Sequence, residues 1–484
     1  MQIKAILRLI GQLLMIFSLS MLTPLVFNLC FHESFWMPFL AAFSCTLGTG
    51  FILWFFFRHQ HQELKIRDGF FIVVLFWIVL CFFGALPFLF AIHHHNDSLT
   101  DALFESVSGF TTTGATILLH LDDLPHAILF YRQQLQFLGG MGIVVLAVAI
   151  LPMLGVGGMQ LYRAESPGTM KDTKLTPRIA QTAKALWSIY FLLTLICMFC
   201  YWAAGMTWFD ALGESFATVS TGGFTMHDTS FAYYQSDLIE VIASIFMLLG
   251  SANFALHFIT FKQLKIRQYW QDEEFRLYVI VLFLLSMIIT ITLVSDDFYD
   301  NYRHAFIKSL FNVVSLATTT GFISAPFNTW PTYVPIVIML SAIIGGCAAS
   351  TTGGIKVMRA LLLFKQSRRE MSRLLHPNAV IPIKFGTHIL GDSILQSMWG
   401  FISAFIALFL FLMILFMALG NDFETAFSAI AASLANAGAG IGTISLTFTH
   451  LSLPSKWLLM FAMIAGRLEI FSLIVLFTRQ FWQK

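Results

Sequence analysis

Four short stretches carry the residue types suited to holding a bare cation: Thr111-Thr112-Thr113-Gly114, Ser220-Thr221-Gly222-Gly223, Thr318-Thr319-Thr320-Gly321 and, more loosely, Ala435-Asn436-Ala437-Gly438. Backbone carbonyls and hydroxyls are uncharged oxygen donors. Four such strands about one axis could offer a ring of oxygens to a cation that has shed its water, which is the physics of a selectivity filter. The glycines permit unusual dihedrals and close backbone approach. Hydroxyls of Thr111, Thr112, Ser220, Thr221, Thr318 and Thr319 could join the oxygen set. The fourth copy, with Ala435 and Asn436, must rely mainly on its backbone.

The elements that position these stretches repeat with them. The last glycines stand 109, 98 and 117 residues apart. Thirteen residues before each comes Asp101-Ala102-Leu103, Asp210-Ala211-Leu212, Lys308-Ser309-Leu310 or Thr425-Ala426-Phe427. A second glycine recurs 25, 27, 24 and 28 residues after them, as Gly139, Gly250, Gly345 and Gly466. Internal repetition at this scale outweighs any single Thr-Gly turn. The segment from 100 to 110 and its counterparts read as helices of about ten residues, too short to span a bilayer. Such a helix can enter, stop, and aim its partly negative C-terminal end at a cation. Irregular backbone at membrane depth is tolerated only where it is buried or lines a wet cavity.

The chain has 484 residues, 57% hydrophobic and 11% charged, with 52 Phe, and its mean hydropathy of +0.78 marks a membrane protein. Ten spans are predicted, at 9–31, 37–57, 69–93, 127–155, 184–206, 236–261, 277–296, 332–344 continuing to 363, 393–419 and 454–480. The fold expected is an all-α polytopic membrane protein: four pseudo-symmetric helix, re-entrant loop, helix repeats around a central pore, after two N-terminal transmembrane helices. Boundaries fall at 1–68 for the helix pair, then 69–160, 161–262, 263–376 and 377–484 for the repeats, the second beginning with an inner loop and the third holding an intramembrane gating loop. Against this topology 23 Lys and Arg lie on the side of both termini, 4 lie opposite, and Arg467 lies within the membrane, the 28 of the whole chain. The positive-inside tendency puts the termini in the cytoplasm. Of 26 acidic residues 16 lie on the outer side, which would gather cations at that mouth. Asp101 and Asp210 share one slot there, where helix capping and cation attraction coincide.

Arg467 is costly at membrane depth, by roughly 2.5–3.5 kcal/mol on insertion scales, and must meet a partner or a water-filled path. A pairing with Glu469 is the structural alternative, but residues two apart face different sides of a helix. A barrier below the filter is therefore the favoured role. The run from Gly345-Gly346 through Cys347 to Gly353-Gly354 supports a helix poorly, each Gly costing about 1 kcal/mol against Ala. Close helix packing is one reading; an unwound, movable gate is the favoured one. No phosphate loop is present, because Gly114 is followed by Ala115-Thr116 rather than Lys-Ser/Thr. Adjacent residues such as His93-His94-His95 do not converge on one ion from a helix end, so an interfacial cap is favoured over a metal ligand set. The six cysteines form no evident disulfide or metal framework, and no paired nucleophile and base suggests an enzyme.

Together the four hairpins, the third-copy glycine run and Gly466-Arg467-Leu468-Glu469 resemble the TrkH family, within the Trk/Ktr/HKT superfamily of potassium transporters. The resemblance covers about 69–484. It implies a potassium-conducting subunit of the bacterial inner membrane, with potassium bound in the filter as the transported ion. A homodimer and a TrkA-type cytoplasmic ring that binds nucleotides are also implied, with the inner loops at 163–184 and 356–373 as docking surface and no nucleic acid involved. Gly114 occupies the slot that goes with potassium selectivity in the family. Ala115, Phe224, Phe322 and Ala439 follow the glycines where the fuller potassium-channel signature has Tyr-Gly, which predicts a shorter oxygen column and weaker exclusion of sodium. Proton symport stays open, and a non-conducting scaffold or sensor is the alternative of a different class.

Overall fold

The computed structural model describes residues 2–59, 66–91, 99–145, 179–331, 333–386, 388–445 and 447–483. His93-His94-His95, the end of the span at 127–155 and most of the inner loop at 163–184 lie outside them. The described chain is almost wholly helical, with one two-residue hairpin pairing Lys384-Phe385 and His388-Ile389. Two helices, Ile3–Ser20 and Met37–Phe57, open the chain. They approach closely at Gly11 and Gly50, where a Cβ on Gly11 would stand 2.7 Å from the Gly50 carbonyl oxygen.

One order of elements then recurs four times: an outer helix, a short helix, an extended strand and an inner helix. The outer helices are Ile66–Gly84 with Leu86–Ala91, Ile179–Ala203, Glu273–Ser295 and Asp392–Ala418. The short ones are Leu99–Phe110, Trp208–Ser220, Tyr302–Ala317 and Phe423–Leu434. Side-chain caps fix where three of them begin: Thr207 accepts from the Asp210 N–H, Asn301 from Arg303 and Asp422 from Thr425. Packing then buries these short helices, most completely toward their C-terminal ends. The inner helices begin at His126, Asp237, Tyr333 and Leu453.

Six described helices are long and apolar enough to cross a membrane, or eight where each of two bent pairs counts as one span. The bent pairs correct the continuous spans expected at 236–261 and 454–480. Asp237–Gly250 meets Phe254–Gln263 at 98°, and Leu453–Arg467 meets Phe471–Phe477 at 114°. Asn253 caps the new helix at the first break through the Ala255 N–H. At the second, Glu469 and Ile470 both take positive φ, at 53° and 35°, a costly backbone for a β-branched residue. Of the apolar cores the two largest join, respectively, the first and fourth repeats with the N-terminal helices, and chiefly the second and third repeats. Large apolar side chains such as Phe199, Ile288 and Ile414 stay exposed on the outer helices, as a lipid-facing surface requires.

Candidate functional site

Each short helix ends in the same turn. The N–H of the third strand residue bonds back to a carbonyl five residues earlier: Thr113 to Ser108, Gly222 to Ala217, Thr320 to Ser315 and Ala437 to Ala432, at 2.7–2.9 Å. Their N–H groups are thereby satisfied on the helix side. The second residues, Thr112, Thr221, Thr319 and Asn436, all sit in the left-handed region with φ of 50°, 51°, 54° and 55°. Such backbone persists only where its surroundings hold it.

The four glycines at the strand ends have φ of 82°, 85°, 85° and 67°, and each is crowded by the next strand. A Cβ on Gly114 would overlap the Gly222 oxygen, one on Gly223 the Thr320 oxygen, one on Gly321 the Ala437 oxygen and one on Gly438 the Thr113 oxygen. These contacts run from first to second, second to third, third to fourth and fourth to first. The strands thus close a ring in chain order, with one third-residue carbonyl against each glycine.

The hydroxyls are more committed than their residue types imply. Thr111 Oγ1 lies 2.7 Å from the Val107 carbonyl and 2.8 Å from Thr113 Oγ1, and Thr318 Oγ1 lies 2.7 Å from Thr320 Oγ1. Ser220 donates to Ala217 O, and Thr221 donates to Ser220 O. Thr319 Oγ1 accepts the Gly353 N–H at 2.9 Å. Thr112 Oγ1 is buried with no protein partner. Asn436 donates to Thr113 Oγ1 at 3.0 Å and to the Met463 carbonyl at 2.9 Å.

Against the ring lies the glycine run of the third copy. Its inner helix stops at Ile344, and a new helix starts only at Val357. Between them Gly345, Ala349, Gly354 and Lys356 all have positive φ. Thr351 bonds Thr221 Oγ1 at 3.1 Å and the Gly250 carbonyl at 3.0 Å. Gly353 lies against the Ala435 carbonyl, where a Cβ would overlap. The loop therefore touches strands two, three and four. Gly346 packs on Thr352 and Ser251.

Arg467 is hydrogen-bonded to this loop. It is 2% exposed, donates to the Thr351 carbonyl at 2.7 Å and, more loosely, to the Gly139 carbonyl at 3.4 Å. Glu469 pairs with Arg359 at 3.0 Å, so the structural alternative of an Arg467–Glu469 pair does not hold. Glu274, at the start of the third outer helix, accepts the Ala348 N–H at 2.8 Å and the Met358 N–H at 3.1 Å. One carboxylate so pins both ends of the loop. A cavity of about 30 Å³ beside Arg467, lined by Ser350, Thr352, Lys356 and Gly466, has room for roughly one water.

At the opposite end of the short helices, salt bridges join neighbouring repeats. Lys456 meets Asp101 at 2.7 Å, Lys308 meets Glu240, and buried Arg132 meets Glu105 at 2.7 Å within its own repeat while bonding the Thr225 carbonyl of the next. His227 stands between Asp122 at 2.5 Å and Asp210 at 3.6 Å. Burial lowers its pKa, but the two carboxylates outweigh that and push it up to about 8. Asp101 thus joins the first repeat to the fourth, whereas Asp210 pairs with His227 of its own repeat and Asp122 carries that histidine across to the first. Sequence reading missed Glu274, Arg132, Gln133 and Gln136. Their signal was polar or charged side chains beside or inside apolar runs.

A family model described as TrkH, cation transport protein, matches residues 37–484. The chain belongs to the TrkH family. It is 50% identical over 489 residues to the Trk system potassium uptake protein TrkH of Halomonas elongata, and 49% identical over 484 residues to that of Escherichia coli K12, with 100% of each chain covered. The crystal structure of the potassium transporter TrkH from Vibrio parahaemolyticus superposes with a TM-score of 0.92 at 46% identity, again over 100% of both chains. This TrkH-family chain is therefore a multi-pass membrane protein with the fold of that transporter.

Proposed function

We propose that the chain is the potassium-conducting subunit of a Trk-type uptake system. The observation that carries this reading is the ring of four strands, closed in chain order, with a loop and an arginine seated against it. N–H groups turned back onto their helices leave carbonyls of residues 111–114, 220–223, 318–321 and 435–438 to replace a cation's hydration shell. Potassium is then the bound and transported ion. The loop around Gly345, Gly346, Gly353 and Gly354 closes the path, and Arg467 adds a positive charge that repels cations.

The same reading assigns the repeats to 69–160, 161–262, 263–376 and 377–484 after the helix pair at 1–68. It places both termini in the cytoplasm of a bacterium, in the inner membrane, by the 23 to 4 distribution of Lys and Arg. A TrkA-type nucleotide-binding ring docks on the basic inner loops at 163–184 and 356–373, whose described residues include Lys184 and the helix Val357–Leu375 with Arg368 and Arg373, and two copies of the chain form the working dimer. Flux is channel-like rather than proton-coupled. The deep carboxylates Glu274 and Glu469 are engaged by loop N–H groups and by Arg359, an arrangement suited to holding structure rather than shuttling protons.

Tracer uptake into liposomes holding the purified chain, with and without a cytoplasmic partner, tests the proposal. Potassium uptake above protein-free vesicles is expected. No uptake in either condition would leave the non-conducting scaffold as the better account.

A further inference from the structure

We infer that Gln136 is a positioning residue for the second filter strand and sets part of the discrimination between potassium and sodium. The inference rests on the filter reading above. Gln136 lies on the inner helix of the first repeat and is fully buried. Its Nε2 donates to the Gly222 carbonyl at 2.6 Å, and its Oε1 accepts the Phe224 N–H at 3.1 Å. One amide therefore brackets the strand on both sides of Gly223. Gln133, one turn earlier, donates to the Phe224 carbonyl at 2.9 Å.

Two unique residues meet here. Three positions before the recurrent inner-helix glycine the chain has Gln136, Met247, Ala342 and Met463, so the amide occurs once. The third strand position reads Thr113, Gly222, Thr320 and Ala437, so the second glycine also occurs once. Gly222 needs no positive φ. A Cβ there would come to 2.5 Å from Gln136 Cδ and 2.9 Å from its Cβ. The missing side chain makes room for the neighbour's amide. In strands one and three the third residue instead braces itself, Thr113 on Thr111 and Thr320 on Thr318.

The Gly222 carbonyl is one of the four that ring the glycines. A smaller cation gains from carbonyls that can move inward to meet it, whereas a larger one is served by oxygens held at a fixed distance. A hydrogen bond on this carbonyl, with the next N–H but one tied to the same amide, resists that inward motion. It also draws electron density from the oxygen. The strand lacking its own side-chain brace is thus stiffened from the adjacent repeat.

The test uses the full chain in liposomes, with radiolabelled rubidium and sodium uptake measured in parallel, and thermal midpoints of the purified protein in potassium and in sodium. Gln136→Met places in the first repeat the residue found at that slot in the second and fourth. Gly222→Ala breaks the same contact from the other side. Each is expected to lower the rubidium-to-sodium uptake ratio by about two- to tenfold, the worth of one hydrogen bond, and to narrow the difference between the two midpoints. Gln136→Met with Gly222→Thr restores a self-braced strand and should recover part of the ratio. A conducting wild type with both ratios unchanged in the single variants overturns the inference alone, as does loss of all flux in folded variants whose midpoint difference is kept. A wild type with neither potassium flux nor potassium-dependent stabilisation overturns the filter reading and this inference with it.

Discussion

Arg467 spends its guanidinium on two backbone carbonyls, Thr351 and Gly139, and its Nε has no protein partner. A buried cation so thinly compensated is expensive, and it is kept where it fixes one conformation. Arg467→Ala removes both the lock and the positive charge, and tracer potassium uptake is expected to rise by about tenfold, since a hydrogen bond from a charged donor is worth ~1.5 kcal/mol or more. Uptake no higher than wild type would remove the barrier role. Gly321→Ala is expected to act oppositely. Its φ of 85° and the Ala437 oxygen both exclude a Cβ, so folded protein should be recovered in lower yield and with little uptake. His227 gives a pH effect of defined sign. Its pKa is raised from 6.5 to about 8, so its pairing with Asp122 and Asp210 is complete below 6.5 and lost as pH rises through about 8. Hydrogen exchange of the Leu121–Asp123 turn, corrected for intrinsic rate, should therefore increase across that interval in the wild type and not in His227→Gln. Residue types alone located the glycines and Arg467. They could not reveal where each hydroxyl points, because Thr111 and Thr318 turn back onto their own helix and strand only once the turn is formed.

The loop between Ile344 and Val357 is an element without regular structure held by groups from three repeats. Gly250 and Thr221 of the second repeat and Arg467 of the fourth hold Thr351, while Thr319 and Glu274 of the third hold Gly353 and, in turn, Ala348 and Met358. Glu274→Gln keeps the size and weakens both carboxylate bonds, so uptake should increase by about fivefold, from ~1 kcal/mol of lost closure, with the thermal midpoint little changed. A purely structural Glu274 would instead lower the midpoint and leave uptake alone. Unwinding here was legible because two glycine pairs flank small residues. The 98° and 114° breaks were not. No proline marks either, and the apolar runs continue across both. The second break depends on Ile470 accepting φ of 35°, which packing imposes and propensity opposes. Glu274 was equally hidden, since a carboxylate in a first helical turn reads as a partner of the helix dipole. Only the fold brings a loop 74 residues away onto it.

Across the whole molecule the fourth repeat must return to the first, and contacts at both ends of the short helices make that junction. In the ring Gly438 lies against the Thr113 carbonyl and Asn436 donates to Thr113 Oγ1; beyond it the Phe448 N–H and the Thr447 and Thr449 hydroxyls bond the Thr116 and Ile117 carbonyls, and Lys456 meets Asp101 at the far end of the short helix. Lys456→Met should lower stability by about 3 kcal/mol, the usual cost of removing one partner of a buried pair, read as a lower thermal midpoint in detergent. An unchanged midpoint would show that the junction does not depend on this ion pair. The number of repeats and the spacing of their landmarks were readable along the chain. The order in which the strands touch was not, because the linkers leave adjacent or diagonal placement open. Being one polypeptide has a consequence of its own. In an assembly of four identical subunits, any inner-helix arginine would be present fourfold, and four guanidiniums would crowd and repel one another at a single level. Covalent fusion of the repeats lets one carry Arg467, another the loop and a third Gln136. Stoichiometries of one become available inside an otherwise fourfold design.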